Sequence, residues 1–111
     1  MKTIKTLVLV SGLFSLSAGL GYAATAAENW ENSCAKCHAA DGSGSTKIGK
    51  KLKLKDYSDA KVQAALKDED MVKAINDGVT DAGKEKMKGF KGELSDPEVQ
   101  DLVAFIRKLQ K

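Results

Sequence analysis

Histidine is nearly absent: His38 is the only one in 111 residues, and the cysteines stop at two, Cys34 and Cys37. Three such side chains cannot fill the four-coordinate Cys/His shell of a structural zinc site. The one sizeable apolar run, Leu7 to Leu20, is broken by glycine and serine and is too short to span a membrane comfortably. Strand-like alternation is absent, which removes the βαβ setting that a thioredoxin-type Cys-x-x-Cys pair needs. Surplus charge is missing as well. With Lys2 and Lys5 set aside, the 18 basic residues fall to 16 against 15 acidic ones, a balance of +1. So even a balance argues against a general nucleic-acid binder.

What is there begins with an export signal. Lys2 and Lys5 precede the apolar run, and small residues follow at Ala23, Ala24 and Ala26. Residues 1–26 are expected to be a cleaved secretory leader, with the cut after Ala23 or Ala26. An uncleaved anchor is the alternative. Residues 27–111 then form one domain in an oxidising compartment, the periplasm, with no stable membrane insertion. About 85 residues lie near the size at which a core needs help from a metal, a disulfide or a cofactor.

Cys34-Ala35-Lys36-Cys37-His38 supplies the candidate for that help. On a helix, residues three and four apart share a face, so both thiols and the imidazole project together. The C-x-x-C-H spacing is that of covalent haem attachment, with Cys34 and Cys37 as thioethers to one haem c and His38 as an iron ligand. A short-loop disulfide is the remaining alternative for an exported pair, and it leaves the adjacent histidine unexplained.

Around this motif the pattern is helical. A first helix is expected from Ala27 to His38, with Trp30 on the side of Cys34 and His38. Asp41 to Ser45 reads as a loop, followed by Leu52, Leu54 and Tyr57 as candidates to cover the haem or simply to pack. Asp59 to Gly78 reads as two short helices: Val62, Ala65 and Leu66 share one face of the first, Met71, Val72 and Ile75 one face of the second. Ser95-Asp96-Pro97-Glu98 has capping-box spacing, and Val99, Leu102, Val103, Phe105, Ile106 and Leu109 form the apolar face of a last helix. It is expected to cross the first, with Phe105 near Trp30.

Two methionines of residues 27–111 could be the second axial ligand. Met71 keeps helical step with Val72 and Ile75, which favours a core role. Met87 lies in the polar segment Lys84-Glu85-Lys86-Met87-Lys88-Gly89-Phe90, where a core role is hard to arrange, so Met87 is the expected ligand. Met71 or an open position are the alternatives. Lysines gather in two stretches, 47–55 and 84–91. They are either a solvated face or a ring around an exposed haem edge that steers acidic partners.

Taken together, the Trp30-to-His38 helix, the Met87 loop with Gly89-Phe90, and Asp101 to Lys108 resemble a small monohaem class I cytochrome c over nearly all of residues 27–111. The resemblance implies an all-α cytochrome c fold, three to five helices around one covalent haem. It also implies His38 and Met87 as axial ligands and a monomeric carrier of single electrons, not an enzyme, between larger redox complexes. Relatives often have proline after the loop glycine and after the ligand methionine, where this chain has Lys50 and Lys88. The rival class is a peroxidase-like or gas-binding haem protein with an open iron position, and a third is a dedicated subunit of a larger oxidoreductase. The lone His38, already committed, leaves no distal histidine for acid–base chemistry.

Overall fold

The computed structural model describes Gly12 and residues 24–111. The expected leader falls outside them apart from Gly12 and residues 24–26. Thr25 opens α1 (Ala26–Ser33): its hydroxyl accepts from the Glu28 N–H at 3.2 Å, supplying a partner for one of the free first-turn donors. The helix therefore starts one residue ahead of the expected Ala27. Instead of running unbroken to His38, the helix kinks at Cys34 (φ −120°, ψ −41°) and resumes as α2 (Ala35–His38). The ladder survives the kink, since Cys34 N–H donates to Trp30 O and His38 N–H to Cys34 O, each at 2.9 Å.

Next comes α3 (Lys47–Leu52), in a lysine-rich stretch expected to be loop, capped by Thr46. Asp59 caps α4 (Ala60–Ala65), and α5 (Asp68–Asp77) carries Asp68, Glu69 and Asp70 in its first turn, where they complement the positive end of the helix dipole. After Gly78 the chain forms a hairpin, β1 (Val79–Asp81) antiparallel to β2 (Lys84–Met87). Ala82 and Gly83 turn it, both with positive φ (51° and 76°), as a two-residue type I′ connection requires. Finally α6 (Asp96–Lys108) starts at the foreseen Ser95–Glu98 capping box, with Pro97 in its first turn. The class is thus mostly helical, with six helical segments and a two-stranded sheet among the described residues. Counting α1–α2 as one interrupted helix gives five helical units.

The core lies where α1, α5 and α6 meet: Trp30, Met71, Ile75, Phe90, Val99, Leu102, Val103 and Ile106 are buried in one cluster. The Trp30 and Phe105 rings meet at a 42° tilt with centroids 5.6 Å apart, so α1 and α6 meet at the expected pair. On α4 the inward side chain is the polar Gln63, while Val62 and Leu66 are half-buried and Ala65 is exposed. That corrects the apolar face read from spacing, because Gln63 finds carbonyl partners that make its burial affordable.

Buried Asn29 of α1 donates to Glu98 Oε2 at 2.9 Å, adding a cross-helix partner to the capping box. That bond, then those from the Ser95 backbone and hydroxyl, hold the Glu98 carboxyl below its ordinary value of 4.5. A depressed carboxyl contributes stability that is full above its unfolded value and is lost as pH falls through the folded one. Glu98→Gln is therefore expected to flatten the acid limb of the stability–pH curve below about 4.5, as read by urea midpoints across pH. An unchanged acid limb would show that Asn29 and Ser95 do not discriminate between the two forms.

Candidate functional site

Two free, half-buried thiols, Cys34 and Cys37, occupy the kink and the single turn of α2. Burial, helped by the nearby Cys37, pushes the Cys34 thiol up to about 11, so it is a protonated thiol at neutral pH rather than a reactive thiolate. Their i, i+3 spacing puts both on the face that also carries His38.

His38 is held by rings. Tyr57 stacks on its imidazole with centroids 5.4 Å apart at 23°, and Trp30 approaches at 5.7 Å and 39°. Nδ1 is buried with no hydrogen-bond partner among the described residues. Burial also lowers the imidazole below its ordinary value, which favours the neutral form with a free lone pair.

The loop after His38 is fixed by backbone bonds. Gly44 N–H donates to His38 O at 2.8 Å, and the Thr46 hydroxyl donates to Cys37 O at 2.6 Å while accepting from Gly49 N–H at 2.9 Å. Thr46 thus joins the Cys/His turn to α3. The signal for it was a Ser-Thr pair ahead of a helical stretch, which the lysines obscured.

Ala39 caps α2 at φ 69°, ψ 159°, a region populated almost only by glycine, and its carbonyl accepts from Trp30 Nε1 at 3.1 Å. Such a conformation costs about 1–3 kcal/mol in a non-glycine residue. Glycine relieves that cost but adds about 0.5–1 kcal/mol of unfolded-state freedom. Ala39→Gly is expected to raise stability by about 1 kcal/mol with the visible spectrum unchanged. Equal urea midpoints for the two proteins would contradict it.

Met87 ends β2 and is half-buried against the same core cluster that Cys34 packs on, whereas Met71 lies inside that cluster at 6% exposure. The Met87 segment is tightly held, although Lys88 stands where relatives often have proline. Phe90 N–H donates to Ile75 O at 2.8 Å and Lys91 N–H to Asn76 O at 3.1 Å, tying the chain to the end of α5. Gly78 and Gly89 let the two backbones cross: a Cβ on Gly89 would lie 2.7 Å from Asn76 O. Lys88 Nζ pairs with Glu93 at 2.7 Å and lies 5.3 Å from the Phe90 ring centre.

Ile48 and Val79 stay 39% and 41% exposed, and Leu52 and Leu54 are only half-buried. These apolar side chains are left outside the protein's own core.

A family model described as Cytochrome C oxidase, cbb3-type, subunit III matches residues 21–106. The chain belongs to the c-type cytochromes. Among solved structures, the KustC0563 c-type cytochrome is 32% identical, with a TM-score of 0.70 over 79% of this chain and 100% of that one. A tyrosine-to-phenylalanine variant of Kustc0563 gives 31%, 0.68, 78% and 100%. No curated protein matches the chain.

Like its family, this cytochrome carries covalently bound haem c. Its residues fit that group: two unpaired thiols three residues apart, an imidazole kept neutral by burial next to the second of them, and apolar side chains that its own core does not cover. Among the described residues no helix is long and apolar enough to cross a membrane.

Proposed function

We propose that this cytochrome is a one-electron carrier in which Cys34 and Cys37 hold the haem by thioethers while His38 and Met87 ligate its iron. The observation that carries the reading is that Cys34, on the Cys/His turn, and Met87, from the far end of the chain, pack on one cluster, with Met71 sequestered inside it. When bound, the haem supplies an iron that alternates between ferric and ferrous forms. His38, kept neutral by burial and held between Tyr57 and Trp30, offers a lone pair in a fixed plane. The soft thioether of Met87 favours the ferrous form, and the apolar side chains around it exclude water. Two protein ligands leave no open position for oxygen or peroxide.

A reversible one-electron titration, with no spectral change when carbon monoxide is added to the ferrous protein, is the expected behaviour. Rapid carbon monoxide binding would favour the open-site class instead.

Lys47, Lys50 and Lys51 on α3, with Lys53 and Lys55 after it, and Lys84, Lys86, Lys88 and Lys91 along the Met87 segment are all exposed. They flank the two stretches that supply the ligands, and we assign them to docking of acidic redox partners through a small, quickly released interface. Partner reduction rates are expected to fall steeply with ionic strength; flat rates would remove this role. The family description as an oxidase subunit favours, as a second reading, a carrier docked permanently to a larger complex. Co-purification with a membrane oxidase would decide for it over a free monomer.

The same proposal includes export to the periplasm, with the leader cut ahead of Ala24, because a cut after Ala26 removes the Thr25 cap of α1. A mature protein beginning at Ala27 would contradict that position.

A further inference from the structure

Among the described residues two polar side chains are buried, Asn29 and Gln63; Asn29 serves the α6 capping box, and Gln63 has no task in the haem reading. It is 4% exposed, and every polar atom of its amide is engaged. Nε2 donates to Tyr57 O at 2.7 Å and to Ile106 O at 2.8 Å, while Oε1 accepts from Arg107 Nη1 at 3.1 Å. Arg107 of α6 locks the arrangement further by donating to Gln63 O and Leu66 O, each at 2.7 Å, and to Asp68 Oδ1. An apolar side chain of similar volume could fill the same space. What it could not do is fix the Tyr57 carbonyl against α6.

Tyr57 is thereby gripped on both sides of its backbone, since its own N–H donates to Gly42 O at 2.9 Å. Its ring is the one stacked on His38. A ligating histidine ordinarily has its plane set by a hydrogen bond from its other ring nitrogen to a carbonyl or carboxylate. The buried Nδ1 of His38 has no such partner among the described residues, so packing against Tyr57 and Trp30 must set the plane instead.

We infer that Gln63 is a positioning residue for the axial histidine: by clamping the Tyr57 carbonyl to α6 it fixes the ring that orients His38, and so tunes the redox potential from α4. This rests on the reading of His38 as an iron ligand. Gln63→Met removes both donated bonds, and Gln63→Glu keeps an acceptor for Arg107 while losing at least one of them. Asp68→Asn weakens the Arg107 cluster without touching the bond to Tyr57.

Midpoint potentials and the NMR shifts of the His38 ring protons are measured on the holoprotein, together with urea midpoints. Both Gln63 variants are expected to move the potential and the ring-proton shifts, and Asp68→Asn to change only the urea midpoint. In a Tyr57→Leu background, the effect of Gln63→Met or Gln63→Glu on the potential should disappear, since the two residues act in series. A wild-type potential in folded Gln63→Glu, or an undiminished Gln63 effect in the Tyr57→Leu background, would overturn the inference. Failure of the underlying reading looks different: the wild type itself would lack the signature of an imidazole-ligated haem.

Discussion

Met87→Ala is expected to abolish the weak far-red band of the ferric protein, and Met71→Ala to leave it in place. The two methionines sit in opposite environments. Met71 is enclosed with Ile75, Val99 and Leu102 in the core, and truncating such a side chain costs about 2–5 kcal/mol through lost contacts and a cavity. Met87 is only half-buried and ends a strand whose other residues are exposed, so its truncation should cost less in folding. On the proposed ligation its loss is chemical: with no sulfur for the iron, the potential is expected to fall and the ferrous protein to gain a position for carbon monoxide. Urea midpoints and spectra of the two variants should therefore separate in opposite order. A far-red band that survives in Met87→Ala and vanishes in Met71→Ala would reverse the ligand assignment.

A second substitution should prevent the site from forming at all. A Cβ on Gly49 would run into the Gly44 carbonyl and lie 2.6 Å from Cys37 O, both backbone atoms that cannot swing away as a side-chain tip could. Gly44 holds the His38 carbonyl, and Cys37 O is the acceptor for Thr46, so making room pushes α3 off the Cys/His turn. Overpacking ordinarily costs about 1–3 kcal/mol and more where the backbone must move. In a domain this small, with total stability of about 5–15 kcal/mol at most, Gly49→Ala should fall beyond that range and leave little haem-loaded protein. Gly83→Ala is the control: nothing lies within 4 Å, and only its φ of +76° resists, so about 1 kcal/mol is expected. Similar urea midpoints and haem yields for the two variants would show that the close approach at Gly49 is not needed.

Much of this architecture was legible in the residues. Ser95 to Glu98 announced α6 because capping and first-turn proline are local chemistry, and the apolar spacing from Val99 to Ile106 matches the side chains found in the core. Gly78 marked the end of α5 for the same reason. Other features were hidden by interactions that are not local. Met87 lies on a strand, but Lys84-Glu85-Lys86-Met87 has no apolar/polar alternation to announce one; a two-stranded hairpin is marginal alone and is fixed here by α5 and the Gly78–Gly89 crossing. α3 was concealed by its lysines, although Thr46 carried the capping signal. Nothing between Glu31 and Ala35 foretold the kink at Cys34. Gln63 was invisible in principle, because its burial depends on Arg107, 44 positions away.

The central claim is a haem bound through both sulfurs of one helical turn and gripped from His38 and Met87. Acid–acetone extraction of the mature exported protein, followed by intact mass, tests it most directly. One haem's mass retained on the wild type, and lost from the double variant Cys34→Ala/Cys37→Ala, is the predicted result. A wild-type polypeptide that emerges colourless, or that gives up its haem to the solvent, would contradict it.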